Sequence, residues 1–108
     1  MEQLKREQTK IFQKWFNNLS PNIQDKIAEY IDRVLEGNTS NCKTLRKGIS
    51  ELTINFQKGY RVYYTLLKNK TVLFLLLGGS KGGHQKEQQE DIKQAIMIRD
   101  YLKERGII

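Results

Sequence analysis

Much of what usually staples or anchors a small protein is missing from this chain. It has one cysteine (Cys42), one histidine (His84) and one proline (Pro21). A lone cysteine cannot form an internal disulfide, so a reducing cytoplasm is the expected setting. One cysteine and one histidine do not make a zinc site from this chain alone, and no metal or other cofactor is expected. The longest apolar run, Val72 to Leu77, falls far short of the roughly 20 residues of a membrane helix, which argues against a membrane partner. The opening residues, MEQLKREQTK, lack the apolar core of a secretory signal. A length of 108 residues suits one domain, 1–108, built on a single core.

Negative charge is also scarce, and where it is scarce matters. From Gly37 to Lys86 there are nine basic residues and one acidic residue, Glu51, so this segment carries +8 of a formal +7 total. The remainder sums to −1. Positive charge segregated in this way is the footprint expected for a polyanion partner, nucleic acid first. A solvated basic surface with no specific ligand is the plainer alternative.

The same segment holds the pattern around which the chain is organised. Leu52, Ile54 and Phe56 alternate with polar residues, as do Val62, Tyr64 and Leu66, so two half-buried strands are expected. Gln57 to Gly59 and Lys68 to Lys70 supply the turns of a meander. The third run, Thr71 to Leu77, is apolar almost throughout and reads as a central strand covered on both faces. On this reading Arg61, Tyr63 and Thr65 face solvent.

Residues Gln3 to Gln8 are either a short edge strand or an extension of the next helix. Thr9 is placed to cap a helix in which Ile11, Phe12, Trp15, Phe16 and Leu19 form one stripe. Ser20 and Pro21 open a second, with Ile23, Ile27, Ile31, Val34 and Leu35 on its apolar side, and Gly37 closes it. Trp15 is expected to pack this hairpin onto the sheet. Asn38 to Lys47 reads as a polar loop. After a glycine-rich loop around Lys81 and His84, a last helix begins near Glu87, Glu90 and Asp91 and carries Ile92, Ala95, Ile96 and Leu102.

Four pieces in this order resemble a known family: T-x-x-F-x-x-W (Thr9, Phe12, Trp15), G-x-S-E-L (Gly48 to Leu52), G-Y-R-V-Y-Y (Gly59 to Tyr64) and L-L-L-G-G-x-K (Leu75 to Lys81). Together they resemble the RelE/ParE toxin superfamily, and within it the HigB-like addiction module killer proteins of type II toxin-antitoxin systems. The resemblance implies an α+β fold, a small antiparallel sheet packed against an N-terminal helix hairpin with a C-terminal helix. It also implies ribosome-dependent, metal-independent cleavage of messenger RNA and a cognate antitoxin, a HigA-like helix-turn-helix protein. The ParE arm implies a gyrase inhibitor instead. Thr53 and Ser80 stand where the family commonly has arginine and aspartate, which leaves open a weakened homologue that only binds antitoxin or RNA.

Cleavage through a 2′-hydroxyl needs a base, a cation for the phosphate and an acid for the leaving oxygen. Arg61 is the candidate clamp, because a guanidinium forks onto two phosphate oxygens; its alternative role is an ion pair with Glu51. Lys81 would bind phosphate or act as a base, or is simply a solvated loop lysine. His84 has the unperturbed pKa for proton transfer, though a lone loop histidine is more often just exposed. Tyr63 would stack on a base, while Lys43, Arg46, Lys47 and Lys58 would grip the RNA backbone.

Overall fold

The computed structural model describes residues 4–81 and 85–108. Five strands form one sheet: β1 (Lys5–Gln8), β2 (Cys42–Thr44), β3 (Ser50–Ile54), β4 (Tyr60–Leu67) and β5 (Val72–Ser80), in the order β1-β5-β4-β3-β2. Helices α1 (Lys10–Asn17) and α2 (Pro21–Leu35) lie in the chain between β1 and β2, and α3 (Gln85–Glu104) follows β5. All pairings are antiparallel except β1 with β5, which is parallel.

The first helix begins as its sequence suggests. Thr9 is extended, and its hydroxyl accepts from the Phe12 amide at 2.9 Å while donating to the Leu76 carbonyl at 2.8 Å. One side chain thus caps α1 and ties it to β5. Pro21 opens α2, and Gly37, at φ 98°, lets the chain leave it. The hairpin presents Phe12, Ile27 and Ile31 to one face of the sheet, where Leu52, Ile54, Tyr60, Val62, Tyr64 and Leu75 meet them. Trp15 packs as expected, over Gly78: a Cβ on that glycine would lie 2.2 Å from the indole ring. Only glycine lets the ring come so close.

Two features differ from the sequence reading, and a third settles the alternative it left open for the opening residues. A fifth strand, β2, forms within the stretch read as a loop; it is three residues long and too polar to show alternation. Lys5–Gln8 is the edge strand rather than a helical extension. Most consequential, the second face of the sheet is not open. The alternation along β4 is real, but α3 lays Ile92 and Ala95 on Ile49, Tyr63, Phe74, Leu76 and Leu77 and builds a second core there. A bulge helps: Tyr63 pairs with Leu77 and Tyr64 with Leu75, so the extra residue Leu76 joins Leu77 under α3. Among the described residues no helix is long and apolar enough to cross a membrane.

Candidate active site beneath the last helix

The end of the sheet where β3 leaves and β4 enters brings three of the sequence candidates into one region. Arg61 pairs in register with Thr53 on one side and Gly79 on the other, and the Lys81 amide donates to the Gly59 carbonyl at 2.9 Å. Lys58 lies over the Tyr60 ring, 5.9 Å from its centroid. The Lys81 ammonium reaches the Asn55 side-chain oxygen at 3.3 Å. Arg61, Lys81 and Lys58 therefore share one end.

The side chain of Arg61 does not stand free in solvent. It turns toward α3 and meets Glu51, Nε to Oε1 at 3.8 Å, with the two side chains 14% and 6% exposed. Gln88 of α3 donates to the other Glu51 oxygen at 2.9 Å, and the Thr53 hydroxyl lies 3.5 Å from Oε1. Asp91 closes the cluster from the same helix. A Cβ on Gly79 would sit 2.6 Å from its carboxylate, so the second glycine of the pair admits Asp91 as the first admits Trp15. Burial pushes the Asp91 carboxyl up; Arg61 pulls it back and Glu87 adds to the rise. This is a carboxylate held by a guanidinium and an amide under a helix, a base and a cation within one contact of each other.

Tyr63 needs the plainest correction. Its ring is fully enclosed between the sheet and α3, so it cannot stack on an RNA base. Its hydroxyl is buried and makes no well-formed hydrogen bond among the described residues, although the Glu51 carboxylate lies close enough to act on it. Burial, and then the negative charges of Glu51 and Asp91, push the phenol far above its ordinary pKa. The solvent-facing reading failed because α3 needs somewhere to bury its own stripe, and the other face was already taken by the hairpin. Thr65, read with it as exposed, is likewise buried and donates to the Gly48 carbonyl at 2.8 Å.

The remaining candidates fall elsewhere. Lys43 is exposed on edge strand β2, opposite Glu51 in the ladder. Arg46 and Lys47 occupy the β2–β3 turn, at the other end of the sheet from Lys81. The basic residues thus do not share one patch. His84 lies outside the described residues. Glu51, Gln88 and Asp91 were not read as a site. The signal that pointed to them was the doubled glycine of β5, which marks close approach on both faces.

The family model for phage-derived Gp49-like proteins matches residues 14–99. An uncharacterized protein of Haemophilus influenzae is 38% identical over 96 residues, covering 87% of this chain and 91% of that one. Among solved structures, the isolated RelE toxin of E. coli matches with TM-score 0.62 at 17% identity, over 84% of this chain and 97% of that one. The RelE-RelB complex from Pyrococcus horikoshii matches with TM-score 0.61 at 16% identity, over 78% and 100%. In the RelBE2 toxin-antitoxin complex of Mycobacterium tuberculosis the values are 0.62 and 17%, over 77% and 97%. The likeness to these structures is one of fold.

Proposed function

Because this chain belongs to the phage-derived Gp49-like family and carries the fold of the RelE toxins, we propose that it is the toxin of a type II toxin-antitoxin pair, HigB-like in kind. Its action is metal-independent cleavage of messenger RNA on the ribosome, and a cognate antitoxin, helix-turn-helix in type, holds it silent. The observation that carries the reading is the Arg61–Glu51 pair at 3.8 Å, set at the end of the sheet that also bears Lys81 and Lys58.

In this reading Glu51 takes the proton of the 2′-hydroxyl, and Arg61 turns from the carboxylate to the phosphate as charge develops there. As the 2′-oxygen bonds to phosphorus the P–O5′ bond breaks and the 5′-oxygen takes a proton from water. Lys81 and Lys58 hold flanking phosphates by charge alone, without reading sequence. Gln88 and Asp91 sit over the pair, so substrate enters from the side of Thr53 and Asn55 or after the first turns of α3 withdraw.

A translation reaction supplied with a defined message tests this directly. Cleavage by this chemistry leaves a 2′,3′-cyclic phosphate or 3′-phosphate, and Arg61→Lys, which keeps the charge and loses the fork, slows it at least tenfold. Fragments ending in a 3′-hydroxyl would overturn the mechanism. One observation favours a second reading, a weakened homologue that binds antitoxin without cutting: Arg61 is already engaged and Thr53 supplies no further cation beside it. Intact message together with tight antitoxin binding would select it, and arrested supercoiling with intact message would select gyrase.

A further inference from the structure

At the end of the sheet remote from Arg61 the chain forms an open pocket of about 500 Å³, within the size range of small-ligand sites. Four cationic side chains line it: Lys68 and Lys70 from the β4–β5 turn, and Arg99 and Lys103 from the last two turns of α3. No carboxylate side chain is among its described lining residues; Ile108, the last residue of the sequence, also lines it. The hydroxyl-bearing residues Thr44, Ser50 and Thr65 form part of its wall, and Leu66 and Leu67 supply an apolar side. Arg61 and Thr65 are four residues apart on β4, so this site lies about 13 Å along the strand from the Arg61–Glu51 pair.

Two details make it more than a solvated basic patch. Arg99 is held in place: its guanidinium packs against Gly48, where a Cβ would lie 3.4 Å from Nε, and its side chain is only 23% exposed. Among the described residues its one partner is the adjacent Asp100, at 3.2 Å and half exposed, which leaves most of the guanidinium donors unused there. The turn opposite is built against local preference. Lys68, Asn69 and Lys70 take φ of 50°, 59° and 65°, a left-handed run that asparagine tolerates and lysine does not favour. Concentrating four like charges around one hollow costs stability through their repulsion, and a bound anion relieves it.

We propose that this pocket binds a nucleotide phosphate, with Arg99 as the fixed fork, Lys68, Lys70 and Lys103 as the surrounding charge, and the leucines against the base or sugar. The inference does not rest on cleavage at Arg61. The phosphate could belong to a free mononucleotide or to a unit of single-stranded RNA, and the chemistry of the site is common to both.

The test is titration of the folded protein, followed by amide NMR at constant ionic strength, with inorganic phosphate, adenosine 5′-monophosphate and a short oligoribonucleotide, and chloride as control. Saturable shifts at Gly48, Thr65 and Arg99 are expected with all three phosphates and not with chloride. Arg99→Gln should weaken binding at least about tenfold, the worth of one charge-assisted hydrogen bond. Lys68→Asn and Lys70→Asn, which suit the left-handed turn, should also weaken it while leaving thermal stability unchanged or higher. Arg61→Lys should leave these shifts unaltered. Tightest binding by the monophosphate identifies a free nucleotide, and by the oligonucleotide a strand. Shifts that fail to saturate or that chloride reproduces, or an Arg99→Gln variant that titrates like the native chain, would overturn the assignment.

Discussion

Replacing Tyr63 with phenylalanine should make this protein more stable, which is unusual for a fully buried core residue. The ring stays where it packs, at 0% exposure, and only the hydroxyl is lost. That hydroxyl is buried and makes no well-formed hydrogen bond among the described residues, the Glu51 carboxylate beside it offering at best a poor one. A hydroxyl stranded in this way costs about 1–3 kcal/mol, so at neutral pH the variant should gain roughly 1 kcal/mol, or about 4 °C in Tm. The gain should grow in alkali. Because burial and the charges of Glu51 and Asp91 raise the phenol's pKa in the folded state, the native fold holds its proton more tightly than the unfolded chain does. That contribution is fully present below the unfolded tyrosine value near 10 and is lost as pH rises from there toward the folded pKa. The native chain therefore weakens by up to about 1.4 kcal/mol per pH unit in that window, and the variant escapes this share. Tyr64, also raised, keeps its own share in both proteins. Urea unfolding at pH 7 and at pH 10.5 measures both quantities. A variant destabilised by 1 kcal/mol at pH 7 would mean that the hydroxyl has a working partner, Glu51 being the nearest candidate, and the account of this cluster would fail.

Other perturbations probe the same architecture. Gly78→Ala should cost about 1–3 kcal/mol by overpacking against Trp15, and Trp15→Leu should cost less in that background than in the native one, measured as a double-mutant cycle. Asp91→Asn should stabilise the fold at neutral pH, because burial is the largest influence on its raised pKa. The difference should vanish as pH falls below the ordinary carboxylate range, where both side chains are neutral. Arg61→Ala should destabilise by about 3 kcal/mol, since it leaves Glu51 nearly enclosed without its cation, so loss of the proposed activity in that variant is interpretable only beside its melting curve. Thr9→Ala should cost about 1 kcal/mol through the lost cap of α1, readable by chemical denaturation.

What the sequence discloses here tracks how local the cause is. The α1 cap, the Pro21 start, the Gly37 exit and the meander turns depend on a few neighbouring residues, and each appears where its residues put it. Strand β2 does not, because three polar residues become a strand only when β3 offers a free edge. The fate of Arg61, Tyr63 and Thr65 is less local still. Their alternation correctly separates two faces, but whether the second face meets water depends on a helix some thirty residues later with a stripe of its own to bury.

That dependence decides where function can lie in this fold. With α1 and α2 on one face and α3 on the other, neither broad surface of the sheet is available to a polyanion. The positive charge that the sequence concentrates in this segment must therefore work from the ends and edges of the sheet. It divides between them: Lys58, Arg61 and Lys81 at one end, Lys68 and Lys70 with Arg99 and Lys103 at the other, and Lys43 on the β2 edge. Two separated clusters on a rigid sheet predict separable effects. If the proposed cleavage operates and the pocket takes a unit of RNA, neutralising Lys68 and Lys70 should weaken RNA retention and lower its salt dependence without changing the ends of any cleavage product, whereas changes at Arg61 should alter turnover before affinity. If both sets of substitutions instead lower affinity and turnover in parallel, a single continuous RNA surface is at work, and the division between the two ends has no functional meaning.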